Sequence, residues 1–154
     1  MSIPQGLERL AGRWRGTNQL WLHDQDARVS ETTMDVSVVA GDRFALLRYT
    51  WADEGQPQDG LLLVGANPET GAVWGAWVDS WHMGHSRLEL SGAADDPDKL
   101  LLRGSYAAPP GPDWGWRIDL IPRGDDRWRL VMYNITPDGV VEPAVEADYE
   151  RRDD

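Results

Sequence analysis

The chain has 154 residues, enough for one domain with a substantial core, and carries a formal net charge of −11 from 26 acidic and 15 basic side chains. That balance argues against a general nucleic-acid or anionic-membrane surface, since both need a positive field. The absence of cysteine excludes disulfides, thiolate catalysis, iron–sulfur clusters and cysteine-ligated zinc.

The opening MSIPQGLERLAG lacks a basic start followed by an apolar run, so it does not read as a signal peptide. The longest apolar runs, such as residues 61–64, are far too short to cross a bilayer. A cytoplasmic protein with no membrane partner is the expectation. Leu7 to Leu10 predict a short helix, stopped by Gly12. From there the period becomes two: Trp14, Gly16, Asn18, Leu20 and Leu22 alternate with Arg13, Arg15, Thr17, Gln19 and Trp21 in a first strand. After a polar turn at His23 to Arg28, the Thr/Ser/Val-rich Val29 to Ala40 makes a second strand. Gly41-Asp42 signals a hairpin into Arg43 to Ala52. Asp59 to Ala66, Ala72 to Ser80 and Trp81 to Ser91 follow as strands four to six, with the Asn67-Pro68-Glu69-Thr70-Gly71 turn between four and five. Lys99 to Ala107 is the seventh strand, and the proline-rich stretch 108–112 after it is an exposed loop. Trp114 to Pro122, Arg127 to Ile135 and Val140 to Arg151 complete ten strands, with a frayed end at Arg152 to Asp154. Short hairpin connections throughout predict an all-β fold: a single antiparallel up-and-down barrel spanning residues 1–154, closed because closure removes edge strands.

Nine tryptophans against one phenylalanine mark this barrel out. A core built only for stability leans on Leu, Ile, Val and Phe, whereas each indole brings an N–H that wants an acceptor. Trp74, Trp77 and Trp81 fall in one stretch, GAVWGAWVDSWHMGH, beside Asp79, Ser80, His82 and His85. The i, i+3, i+7 spacing also suits a helical stripe. Gly71, Gly75 and Gly84, the β-branched Val73 and Val78 and the flanking turns favour a strand.

At LAGRWRGTNQLWL, Gly12-Arg13-Trp14-Arg15-Gly16 after a helical turn resembles the first strand of lipocalin-like (calycin) barrels, where a Gly-x-Trp closes one end under a short helix. With YTWADEGQPQDG, WVDSWHM, MYNITPDG and EADYERR, the chain is similar over nearly its whole length to a bacterial family of lipocalin-like domains of unknown function. The Gly-x-Trp-x-Gly segment also resembles nitrobindin-type haem barrels of ten strands. It departs from them at Asn18, where their motif has a third glycine, and no histidine stands in the last third of the chain, where they carry the iron ligand. Fatty-acid-binding barrels hold a carboxylate with an Arg and a Tyr near the chain end. Here Tyr149-x-Arg151 has the reverse order and sits at a terminus, while Arg129 and Tyr133 share a face of strand nine.

The densest polar cluster is Asp79 to His85. A turn near Trp81 brings Asp79 and His82 together, and a carboxylate beside an imidazole fixes its tautomer and raises its basicity. The plainer reading has Asp79 accepting indole or backbone N–H groups and His82 capping a strand end. A His82-x-x-His85 metal pair lacks a marked third ligand, so no metal is expected. No Gly-x-Ser-x-Gly elbow activates Ser80, Ser86 or Ser91. Surface arginines such as Arg127, Arg129 and Arg151 are expected to be solvated, and the Glu146, Asp148 and Glu150 face of the last strand to be outward.

These residues predict a binding module for a small hydrophobic or aromatic molecule. Its wall is drawn from Trp14, Tyr49, Trp51, Trp77, Asp79, Trp81, His82, Trp116, Arg117 and Tyr133. The alternatives are an isomerase, lyase or hydrolase using Asp79 and His82 as an acid–base pair, and a haem barrel drawing on His23, His82 or His85. A further alternative is a homodimer paired through exposed indoles. No other cofactor is expected.

Overall fold

The computed structural model describes residues 6–22 and 25–152. Ten antiparallel strands form a closed barrel: β1 Gly12–Leu20, β2 Arg28–Val39, β3 Phe44–Asp53, β4 Gln56–Ala66, β5 Ala72–Asp79, β6 Leu88–Ala93, β7 Leu100–Tyr106, β8 Trp114–Pro122, β9 Arg127–Ile135 and β10 Val141–Arg151. Each strand pairs with its sequence neighbours, and β1 closes on β10 from Trp14↔Arg151 to Leu20↔Val145. Alternation does the sorting: Ala45, Leu47, Tyr49 and Trp51 of β3 point into the core, as do Trp116, Ile118 and Leu120 of β8. No helix among the described residues is long and apolar enough to cross a membrane. His23 and the last two residues, 153 and 154, lie outside the described residues.

Two expectations need correction. The N-terminal helix is a single 3-10 turn, Glu8–Leu10. The sixth strand begins at Leu88, not Trp81, and residues 80–87 form a loop. The three tryptophans of the GAVWGAWVDSWHMGH stretch take three different positions. Trp77 is fully buried inside β5, and Trp81 lies in the loop. Trp74 is 41% exposed on the outer wall, where it lies over Gly65 and beside Phe44.

One end of the barrel is sealed. The Trp14 indole donates to the Leu10 carbonyl at 2.8 Å, fixing the 3-10 turn across the opening. Trp128 packs edge-on to Trp14, and Tyr149 stacks on Trp128 at 4.8 Å. Arg151, expected to be solvated, lies 4.2 Å over the Trp14 ring and donates to the carbonyls of Arg9, Ala11 and Asp125. A planar fork that stacks and donates in several directions is a task for arginine rather than lysine. Arg151→Ala is therefore expected to lower unfolding free energy by about 2 kcal/mol. Arg151→Lys should recover less than half of that in urea titrations, and full recovery by lysine would contradict the latch.

Candidate functional site

The opposite end gathers the loops that leave β1, β3, β5, β7 and β9. Its architecture starts from a missing side chain. Tyr49, Gly60 and Asp79 stand in one row across β3, β4 and β5. A Cβ on Gly60 would lie 2.4 Å from the Tyr49 hydroxyl, so only glycine lets the phenol cross β4. The Tyr49 hydroxyl donates to Asp79 Oδ2 at 2.6 Å and accepts the Trp77 indole N–H at 2.8 Å. Trp51 Nε1 adds a longer bond to the same carboxylate oxygen, 3.3 Å. The other oxygen, Oδ1, accepts the backbone N–H groups of Trp81 and His82 at 2.8 and 3.0 Å. Asp79 is 4% exposed and therefore serves four donors, which is what a buried carboxylate requires. Burial, with the Asp79 charge beside it, pushes the Tyr49 phenol well above its ordinary pKa, so it remains a donor.

This capped turn explains why the strand ends at Asp79. Ser80 then ties the loop to β4, its N–H donating to the Asp59 carbonyl and its hydroxyl to Gln58. The loop carries Trp81 and His82 back over the barrel mouth. The His82 ring packs against Trp51, Trp77, Trp81 and Trp116 with centroids 4.7 to 5.7 Å away. Burial among these rings lowers its pKa from the ordinary 6.5, against the pull of the Asp79 charge. His85, three residues on, is exposed and borders a groove on the outer wall. Among the described residues no three His, Cys, Asp or Glu side chains gather to hold a metal ion.

Above this floor opens a cavity of about 550 Å³. Trp77, Trp81, His82 and Trp116 line it together with Trp21, Leu88, Met83, Tyr106, Asn134 and Glu142. Trp116 stacks on Trp77 at 5.3 Å and is 7% exposed, and its indole N–H has no acceptor among the described residues. The Tyr106 hydroxyl donates to Asn134 Oδ1 at 2.5 Å. Tyr49, Trp51 and Asp79 do not line this cavity; they border a void of about 10 Å³ beneath it, too small for a ligand, and Asp79 also meets a groove beside Ser80 and His85.

Besides Tyr49, Trp51 and Asp79, three more of the wall residues read from the sequence lie away from the cavity. Trp14 is in the sealed end. Arg117 and Tyr133 are on the outer wall, because Trp116 and Ile118 occupy the inward positions of β8. Arg117 makes a fork onto buried Asp119 at 2.9 and 3.0 Å and covers the Tyr133 ring. No carboxylate clamp of the fatty-acid-binding kind forms: the Tyr149 hydroxyl bonds Thr32 at 2.9 Å, and Arg129 pairs outside with Glu146 and Asp148. Of the two readings of Asp79 and His82, the geometry follows the plainer one: Asp79 accepts indole and backbone N–H groups, and it meets His82 through the backbone N–H and not through the imidazole.

Glu142 was missed. Pro143 sits inside a strand of a barrel without edges, where proline is tolerated only at a bulge, and the register does shift between Pro143 and Val145. The bulge changes the phase of alternation. Glu142, opposite inward Asn134, turns toward the mouth, while Glu146 and Asp148 below it pair with Arg129 on the outer wall.

The fold and the mouth define a closed ten-strand barrel with an indole-lined cavity at one end. The chain belongs to the family described as protein of unknown function (DUF1579), whose pattern matches residues 4–151. Among solved structures it is similar to Rv2717c from M. tuberculosis, at 14% identity and TM-score 0.66 over 95% of this chain and 94% of that one. It is also similar to the S-type phycobiliprotein lyase CPES from Guillardia theta, at 15% identity and TM-score 0.62 over 100% and 94%. A redesigned β barrel matches at 13% identity and TM-score 0.50 over 99% and 100%. At these identities the likeness is one of fold. No curated protein matches the chain.

Asp79→Ala leaves four donors without their acceptor and is expected to cost about 4 kcal/mol, whereas Tyr49→Phe, which strands only the Trp77 N–H, should cost about 1–2 kcal/mol. Equal losses in urea unfolding would contradict the hierarchy. His82 adds a pH signature. The unfolded chain takes up a proton near 6.5, and the folded chain does so only at lower pH. Its contribution is therefore complete above about pH 6.5 and is lost as pH falls from there toward the folded pKa. Wild type should show this slope and His82→Gln should lack it; parallel profiles would refute the assignment.

Proposed function

We propose that this barrel binds a small hydrophobic or aromatic molecule that carries a hydrogen-bond acceptor, held in the cavity at the open end. The observation that carries this reading is Trp116: a buried indole N–H without an acceptor, in the wall of a cavity of about 550 Å³. Such a volume falls in the range of small-molecule sites, and a buried donor left without a partner costs about 1–3 kcal/mol that a ligand oxygen would return. The Gly-x-Trp seal at the far end supports the lipocalin-type version of this reading, in which one end is closed and the other admits the guest.

A lyase-type reading draws on the phycobiliprotein lyase that shares the fold. Against it weighs Asp79, whose two oxygens already serve four donors and which does not border the cavity. Against haem weigh the four indoles packed round His82 and the lack of any Arg or Lys among the described cavity-lining residues to meet two propionates.

The test uses N-phenyl-1-naphthylamine, a neutral probe whose emission rises in apolar surroundings. Saturable binding of one probe per chain is expected, with 2-acetylnaphthalene displacing it at about tenfold lower concentration than 2-ethylnaphthalene. Trp116→Phe, which keeps a ring and removes the N–H, should abolish that advantage. Absence of saturable probe emission would overturn the reading.

A further inference from the structure

We infer that the guest is held by a carbonyl-type oxygen, as of a ketone, amide or quinone, which takes N–H donors from two adjacent strands: the Trp116 indole of β8 and the Asn134 carboxamide of β9. This rests on the binding reading above and specifies the chemical group that the cavity recognises.

Period-two alternation brings the two donors together. Trp116, Ile118 and Leu120 are the inward residues of β8, and Leu130 and Met132 are inward on β9, so Asn134 continues that row to the mouth. Trp116 and Asn134 stand opposite each other in the β8–β9 ladder. Side chains so placed are rooted about 5 Å apart, close enough for both to reach one guest atom. Both line the same cavity.

Each donor is already aimed by a neighbour. Trp77 stacks on Trp116 at 5.3 Å with the ring planes 12° apart, which fixes the indole. The Tyr106 hydroxyl reaches across β8 from β7 and donates to Asn134 Oδ1 at 2.5 Å. A carboxamide whose oxygen is taken in this way presents its N–H donors to whatever lies on its other side. Tyr106 therefore acts through Asn134, as a positioning residue. Among the described residues neither the Trp116 N–H nor the Asn134 amide nitrogen has an acceptor. Donors held in place before the guest arrives lose little freedom when it binds.

Two donors rooted this close select the acceptor. A carbonyl oxygen carries two lone pairs in the plane of its substituents and meets both N–H groups at once. An aryl ether oxygen is crowded by two carbon substituents and meets one. The donors also differ in what they gain. Trp116 is buried and its N–H has no alternative partner, whereas Asn134 is half-buried and is open to hydration when the cavity is empty. Asn134 therefore strengthens the hold of Trp116 on the guest and does not replace it.

The test displaces N-phenyl-1-naphthylamine with 2-acetylnaphthalene, 2-methoxynaphthalene and 2-ethylnaphthalene. It also reads the infrared carbonyl stretch of bound 2-acetylnaphthalene, isotope-labelled at the carbonyl. In the wild-type protein the ketone should compete about tenfold better than the ethyl compound, and the ether about threefold better. Asn134→Leu should lower the ketone's advantage to about threefold, leave the ether's unchanged and move the carbonyl stretch to higher frequency. Tyr106→Phe, which frees the amide to turn over, should fall between wild type and Asn134→Leu in both readouts. A general loosening of the mouth would weaken all three competitors alike and leave their order unchanged. That result, a stretch unmoved by Asn134→Leu, or an ether that competes as well as the ketone would overturn the inference while the binding reading stands. Failure of the probe itself to bind would overturn both.

Discussion

The mouth of this barrel depends on one buried carboxylate. Asp79 ends β5 by accepting two backbone N–H groups of the following turn, and its other oxygen takes the Tyr49 phenol and the Trp51 indole. A charge this deep is tolerated only because every donor around it is aimed at it. Removing the charge would release the turn, and with the turn the two rings, Trp81 and His82, that lie over the opening. Gly60 is part of the same device, since a larger residue there would keep Tyr49 from reaching across the sheet.

The tryptophans divide by height in the barrel. At the sealed end Trp14 and Trp128 are structural: they pack edge to face under the 3-10 turn, with Arg151 laid over the outer ring. At the open end Trp77, Trp81 and Trp116 leave space between them. Trp74 belongs to neither group and covers a glycine on the outer wall. An indole count therefore overstates the cavity, because the same side chain serves as filler, seal and lining. The alternating strand pattern decides which.

Strand number, order and most boundaries were legible because period-two alternation is interrupted by Gly, Asp and Pro at nearly every hairpin. The sixth strand was misjudged because Trp81 and His82 carry strand-like side chains, while the turn that holds them is dictated by Asp79, a long-range acceptor that pattern alone does not reveal. The turn bringing Asp79 to His82 was foreseen, and so was an Asp79 that accepts indole and backbone N–H groups; that the Tyr49 phenol joins them was not, since it depends on where Tyr49 and Trp51 arrive from β3. Trp14, Arg117 and Tyr133 were placed in the wall by residue type, without the height along the barrel or the inward phase of each strand. Arg151 was read as a terminal charge because its acceptors, the carbonyls of Arg9 and Ala11, lie at the other end of the chain. Glu142 was accessible in principle, for a proline inside a strand of an edgeless sheet demands a bulge, and a bulge inverts the phase.

The central claim is that guest binding occurs at the open end and engages only the tryptophans gathered there. Fluorine NMR of protein carrying 5-fluorotryptophan at all nine positions tests it directly. On saturation with N-phenyl-1-naphthylamine, the resonances of Trp77, Trp81 and Trp116 should move while those of Trp14, Trp74 and Trp128 stay in place. Movement confined to Trp74, or shifts at the sealed pair Trp14 and Trp128 with none at Trp116, would contradict the account.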